Sequence, residues 1–408
     1  MKIALLGYGK EGQAAEKYFK NKYDAAFDAF ENLAPTEFAN LDYSPYDLVL
    51  RSPSIPPFSQ DSKFTSVTRY FFDHCPCNII GVTATKGKGT TCSFIKSLLD
   101  ASGYDAYLVG NIGTPAIEIL DQLTPNSVVV YEMSSFQLWD LEKSPHIAVI
   151  GHLEPDHLNV HHGFEDYLNA KSHICAYQTN DDYLIYYSKN PDSARLAERS
   201  PAHKIPYPFD VPNDILDSIT LPGAHNRENA IAAIAAVASL RNLSPNEYLN
   251  SCTDEIKSGL ANFHGLPHRL EFIRKINDIR YYDDNFSTNP ASTRVAINAF
   301  PNDNVIAIIG GRDKTDYADL PEIYEIISSP NVKKVILMGE SGHEIAKKYP
   351  NENFILADSL ESAVQSASQA AANYNSAIVL MSPSAASFDM FNNVYDRGEQ
   401  YQKIVNKL

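Results

Sequence analysis

The chain has 408 residues, 44% hydrophobic and 21% charged, with a formal charge of −16 at neutral pH. That length exceeds one ordinary core and requires two or three domains; the acidic balance excludes a nucleic-acid backbone as main partner, but not a small phosphorylated ligand that needs only a local positive site. No apolar run approaches the ~18 residues of a transmembrane helix, which excludes membrane insertion. The start of the chain turns polar too soon for a signal peptide. The five cysteines lack metal-ligand spacing, Cys75-Pro-Cys77 being an isolated C-x-C, so reduced thiols in a cytoplasmic chain are expected.

Lys2–Leu6 reads as a first strand, and Gly7-Tyr-Gly-Lys-Glu-Gly12 opens a helix to about Lys20. This is G-x-G-x-x-G between strand and helix, either a dinucleotide-type fingerprint or a tight packing turn. Leu48-Val-Leu50 is a short strand ending in Arg51-Ser-Pro-Ser-Ile-Pro-Pro57, either a ligand-side loop or simply a rigid one. From Asn78 to about Gly265 strands and helices alternate. Asn78–Thr83 feeds Ala84-Thr-Lys-Gly-Lys-Gly-Thr-Thr91, and a helix follows. Ser127–Tyr131 and Ile147–Ile150 are continuous apolar runs suited to a parallel sheet covered on both faces. Ala230–Leu240 is an Ala-rich helix and Gly265-Leu-Pro267 a linker. Beyond it, strands near Val305–Ile309, Val335–Met338 and Ala377–Met381 alternate with helices near 290–299, 360–374 and 391–406. The fold class is therefore α/β with three domains, over 1–75, 76–266 and 267–408: two Rossmann-like units flanking a central P-loop-type unit.

Strand, glycine turn and helix N-terminus together make a phosphate cradle. Thr85, Lys86, Gly87 and Gly89 supply backbone N–H groups, Lys88 reaches phosphates, and Thr90 or Thr91 offers a hydroxyl to Mg²⁺. Glu132 and His157 follow strands whose C-terminal ends share one edge of the sheet, so both can face that loop and hold a divalent cation; pairing of Glu132 with a lysine and capping by His157 are the structural alternatives, and Asp156, His161 and His162 lie close enough to substitute. Lys171, on the next helix, is either a solvated lysine or an amine held neutral near metal ions and able to take up CO₂. Asn226 and Asn229 share a helix face and could read a base edge, with N-capping by Asn226 as the alternative. Arg269 suits phosphate or carboxylate. The loops 282–290, 310–314 and 382–387 follow strands of the third unit and suggest a carboxylate site using Thr288, Lys314 and Ser387.

Taken together, these residues resemble the Mur ligase family along the whole chain, and most closely its glutamate-adding members. The most specific pieces are Gly110-Asn-Ile-Gly113, Glu132–Leu138, Gly223–Asn226, Gly265–Arg269, and Ser382–Asp389 with Arg397-Gly398. The resemblance implies a UDP-sugar domain, an ATP domain and an amino-acid domain in that order. It implies a catalytic set of Lys88, Asn111, His157, Lys171, Arg269 and Asp284, with Thr90, Glu132, His157 and carbamylated Lys171 around two Mg²⁺ ions. Asn226 and Asn229 would contact adenine. Lys10, Glu11, Ser52 and Pro53 would lie near the uridine diphosphate, Asn111 near the reacting carboxylate, and Thr288, Lys314, Ser387 and Phe388 around glutamate. The implied reaction adds D-glutamate to UDP-N-acetylmuramoyl-L-alanine through an acyl phosphate, for peptidoglycan precursors, in a monomeric cytoplasmic enzyme with no nucleic-acid partner.

Three positions depart from the family pattern: Ala84 and Ser54 each replace a usual glycine, and Phe286 stands where D-glutamate enzymes usually carry lysine. The segment Asp283–Pro290 is also similar to enzymes that add L-glutamate. The other readings are a folylpolyglutamate synthase, a non-catalytic nucleotide-binding homologue and, from Gly7–Gly12 alone, a nicotinamide oxidoreductase.

Overall fold

The computed structural model describes residues 1–408, apart from the side chain of Pro35. Three sheets follow one another along the chain. The first contains β1 (Lys2–Leu6), β2 (Ala26–Phe30), β3 (Leu48–Arg51) and β4 (Phe64–Ser66), all parallel, in the order β2-β1-β3-β4. The second contains β5 (Asn78–Thr83), β6 (Ala106–Gly110), β7 (Val128–Glu132), β8 (Ile147–Ile150), β9 (Tyr183–Tyr187) and β10 (His203–Tyr207), also parallel, ordered β10-β9-β8-β5-β7-β6. The third contains β11 (Glu271–Ile276), β12 (Ile279–Asp283), β13 (Val305–Ile309), β14 (Val332–Met338), β15 (Phe354–Ala357) and β16 (Ala377–Met381), ordered β11-β12-β16-β13-β14-β15. Only its β11–β12 edge hairpin is antiparallel among the described strands.

The apolar runs explain the sheet centres. Every residue of β7, β8, β13 and β16 is buried, as parallel strands with helices on both faces require. The Ala-rich stretch lies in the helix Ala224–Leu240, in which Ala230 to Ser239 are all nearly or fully buried. Helices all-round apolar in this way belong to interiors.

By packing, the chain divides into two compact bodies. One comprises Met1–Ile219 and Arg227–Phe263, and so holds the first two sheets. The other comprises Thr220–Asn226 and His264–Leu408, around the third sheet. Within the first body, side chains join the two sheets. Gln137 Nε2 donates to Glu11 Oε1 at 2.8 Å and Arg51 Nη2 to Asp140 Oδ1 at 2.5 Å. Lys22 pairs with Asp121 and Arg69 with Glu142. No helix of the described residues is long and apolar enough to cross a membrane.

Candidate active site

In the second sheet, β5 ends at Thr83 and the chain turns through Ala84–Gly87 into the helix Lys88–Ala101. Gly87 has φ +84°, a conformation that favours glycine, and a Cβ there would lie 2.8 Å from Asn229 Oδ1 and displace that side chain. Lys88 folds back, its Nζ donating to the carbonyls of Ala84 (2.9 Å) and Thr85 (3.0 Å). The Thr85 amide donates to His152 O, and its hydroxyl donates to Glu154 O at 3.0 Å. Lys86 is exposed and pairs with Glu154 at 2.6 Å. Gly89 and Thr90 lie in the first helical turn, and the Thr91 hydroxyl donates to Asn229 Oδ1 at 3.3 Å. Open N–H groups at a helix start, with an ammonium beside them, can hold phosphate oxygens.

Beside this loop, Glu132 is the last residue of β7, one step earlier than its expected place just after the strand, and is 6% exposed. Its Oε1 accepts from Asn111 Nδ2 at 3.1 Å, and Asn111 N donates to Glu132 O. Among the described residues Glu132 has no lysine ion pair. Lys171, in the helix Phe164–Ser172, is 1% exposed rather than solvated. Its Nζ donates to Thr83 Oγ1 and Ala84 O, both at 3.0 Å, and lies 4.8 Å from the centre of the Tyr167 ring. Burial, reinforced by the Lys88 charge, pulls Lys171 far below the ordinary lysine range, although Asp156 and Glu132 oppose this. The amine is therefore driven toward neutrality. His157 is exposed, has φ +52°, and sits 5.0 Å from the Phe136 ring. The helix that follows, Phe164–Ser172, has Gly163 at its N-cap, so His157 does not cap it. His161 is 2% exposed, with Nε2 on Ser135 Oγ (2.9 Å) and Nδ1 3.4 Å from Asp166; its ring stacks on Phe136, which leaves it poorly placed to stand in for His157.

A cleft of about 510 Å³ opens where the first two sheets meet. Its walls include Lys10, Glu11, Ser52, Pro53, Asn111 and His157, so the structure brings these six sequence-selected residues together. Gly7 makes the approach possible: a Cβ there would fall 2.1 Å from Ser52 Oγ. Ser54 shares a 3.2 Å contact with Ser52 through their hydroxyls. A larger cleft of about 690 Å³ beside β3 and β4 is bordered by Arg51 and Pro57, the ends of the Ser/Pro loop, but by none of the individual candidate site residues.

In the second body, the loops after β12, β13 and β16 converge, because those strands are neighbours. Lys314 Nζ donates to Thr288 O at 3.0 Å, and Arg312 exchanges backbone hydrogen bonds with Ala386. Burial, with the Arg397 charge, holds Lys314 below its ordinary value. Ser387 is 2% exposed, whereas Phe388 is 70% exposed. Asp284 accepts from Leu270 N (3.1 Å) and the Ser382 hydroxyl (2.7 Å), and burial pushes it up to about 7. The Arg269 guanidinium lies 5.3 Å from the Phe286 ring centre, where the expected lysine would have repelled it. Asn226 is not an N-cap: it lies inside the helix Ala224–Leu240, with Nδ2 donating to Pro222 O at 2.7 Å.

Two features escaped sequence reasoning. Arg397 is fully buried with no carboxylate hydrogen-bonded to it; its guanidinium donates to Asn285 Oδ1, Asn285 O, Ala385 O and Ala386 O, tying two of the three loops together. Its place in an Arg-Gly pair was the available signal. His268, Glu271 and Asp283 bring possible ligand atoms within 4.8 Å of one another. The Gln402 amide donates to both carboxylates and His268 Nδ1 meets Asp283 at 2.7 Å, which satisfies the group without an ion. The Asp283 contact raises His268 above the ordinary imidazole value.

The architecture is thus that of a parallel α/β protein with a glycine–lysine turn in its central sheet and a polar cleft beside it. Residues 82–215 match the Mur ligase middle domain and residues 268–384 the Mur ligase, glutamate ligase domain. The UDP-N-acetylmuramoylalanine--D-glutamate ligase of Clostridium kluyveri is 30% identical over 100% of this chain and 97% of its own. That of Acetivibrio thermocellus is 32% identical over 89% and 83%. The solved UDP-N-acetylmuramate-alanine ligase MurC of Thermotoga maritima covers 100% of this chain and 99% of its own with TM-score 0.60 at 16% identity, a likeness of fold. The chain belongs to the Mur ligase family.

Proposed function

We propose that the protein is an ATP-dependent ligase that joins D-glutamate to the alanyl carboxylate of UDP-N-acetylmuramoyl-L-alanine in peptidoglycan precursor synthesis. The observation that carries this reading is the joining of two things in one body: the Lys88 loop with Glu132 and buried Lys171, and next to them a cleft bounded by Asn111 and Lys10. The name shared by relatives covering 89% to 100% of the chain supports the substrate assignment.

In this reading residues 1–75 hold the UDP part, 76–266 the ATP and 267–408 the glutamate. The donor set fits a divalent cation: Glu132 and the Thr90 hydroxyl are oxygen ligands, and His157 offers an exposed imidazole. Two Mg²⁺ ions would be held by these groups and by Lys171 once a neutral amine there has added CO₂; bound cations would neutralise charge on the transferring phosphoryl group. Lys88 grips ATP phosphates, and Asn226 and Asn229 contact adenine. Asn111, held by Glu132, orients the alanyl carboxylate, whose oxygen attacks the γ-phosphorus of ATP as ADP leaves. The glutamate amine then attacks the acyl carbon, phosphate departs, and the amine loses its proton. Arg269 and Asp284 order the nucleotide, while Thr288, Lys314, Ser387 and Phe388 surround glutamate. A cytoplasmic monomer is the proposed working form.

Phosphate release with ATP, Mg²⁺ and UDP-N-acetylmuramoyl-L-alanine tests this, comparing D- with L-glutamate. Release that requires D-glutamate, with an amide product by mass, is the expected result. Release with L-glutamate alone favours the second reading, which rests on Phe286 in place of lysine. No release with either isomer refutes ligation of glutamate.

A further inference from the structure

Within the cleft, Glu11 is out of keeping with its neighbours. It sits in the first turn of the helix Lys10–Lys22, beyond β1, and β1 and β3 are where the strand order of the first sheet reverses. Ligand phosphates favour such a switch point, beside a helix N-terminus. An acidic side chain is the wrong charge for that place. Its own contacts show how it is accommodated. Oε1 accepts from Gln137 Nε2 at 2.8 Å, but Oε2 has no exposed surface and no hydrogen-bond partner. Arg51 faces it from β3, where Nη1 and Nη2 are committed to Ser52 O, Ile55 O and Asp140, while its buried Nε makes no hydrogen bond to Glu11 or any other group. Tyr131 faces it from β7, and Lys10 and His157 share the cleft.

A buried carboxylate oxygen with no donor is costly, and the neutral acid is the form this pocket suits. Consistent with that geometry, burial pushes the Glu11 carboxyl up to about 7, against the opposing pull of Gln137 and Arg51.

We propose that Glu11 is a proton gate for the sugar nucleotide: its neutral acid admits the diphosphate, its carboxylate repels it across the cleft, and binding therefore takes up one proton. This rests on the reading of the cleft as the UDP-sugar site. By reciprocity, bound diphosphate strengthens proton binding at Glu11 as much as the proton strengthens diphosphate binding. Substrate affinity then falls as pH rises through neutrality, by up to about tenfold per unit.

Calorimetric titration of the full chain with UDP-N-acetylmuramoyl-L-alanine, without ATP, tests this at pH 6, 7 and 8 in two buffers of different ionisation enthalpy. The expected uptake is small at pH 6 and approaches one proton at pH 8, while Kd weakens over the same interval. Glu11→Gln is expected to bind without uptake and with a flat pH profile. The wild-type uptake is decisive by itself if that variant fails to fold. Wild-type binding without proton uptake at pH 8, or with proton release, overturns the proposal and leaves the substrate reading standing. Absence of wild-type binding at every pH overturns both.

Discussion

Lys171→Met separates a chemical from a structural role for this buried amine. Methionine conserves most of the volume, and the side chain is 1% exposed, so packing is largely retained. Two hydrogen bonds are lost, to Thr83 Oγ1 and Ala84 O. Neither atom is orphaned, since the Thr83 hydroxyl still donates to Met133 O and Ala84 O still accepts from Lys88. At roughly 0.5–1.5 kcal/mol per bond, partly offset because no buried amine needs desolvating, the expected stability cost is about 1–2 kcal/mol. Loss of a carbamate ligand would instead cost on the order of 10²–10⁴ in kcat. Denaturant unfolding followed by Trp139 fluorescence, the chain having one tryptophan, reports the body that contains Lys171. Phosphate release reports turnover. Activity within about tenfold of wild type would remove Lys171 from the metal-site model. A stability loss above ~4 kcal/mol would make the residue structural and the lost activity secondary.

Gly87→Ala combines a left-handed φ of +84° with a Cβ 2.8 Å from Asn229 Oδ1; a cost of about 1–2 kcal/mol and a KM for ATP raised about tenfold are expected, and unchanged ATP kinetics would count against the loop as the nucleotide site. Arg397→Lys cannot reproduce four bonds to Asn285, Ala385 and Ala386; about 2–4 kcal/mol should be lost on denaturant unfolding of the second body, with a loss under ~1 kcal/mol contradicting its role as a tie. Asp284 titrates higher folded than unfolded, pushed up to about 7 from 3.8. Its contribution is therefore complete below about pH 4 and is lost as pH rises through about 7. Asp284→Asn should flatten the fall in unfolding midpoint over that window, and an unaltered slope would refute it.

Sequence legibility followed burial. The interior strands β8, β13 and β16 were readable because both faces are covered and their residues are uninterruptedly apolar; β5 was readable from its buried β-branched run after the exposed Asn78. Edge strands were not: β2 is Ala-Phe-Asp-Ala-Phe with no fully buried residue, and β10 carries Pro206. The Lys88 loop and His157 were legible because each follows a strand and parallel strands deliver their C-terminal ends to one edge, whereas Lys10, Glu11, Ser52, Pro53 and Asn111 came from the family resemblance. The burial of Lys171 was hidden, because a lysine one residue from a helix end normally reaches water. Nor could periodicity reveal that Asn226 turns back onto Pro222, or that Arg397 is sealed among carbonyls, since both outcomes depend on chain segments remote from the local pattern.

The side-chain ties between the first two sheets have a kinetic consequence. Gln137 on Glu11 joins two walls of the cleft before any ligand arrives, and Arg51 on Asp140 ties the same two sheets outside it. A molecule entering there meets a finished surface, so little chain freedom is surrendered on docking. Its association is set by diffusion and orientation, its residence time carries the differences in affinity, and the first substrate can wait in place, fully engaged, for the second and third.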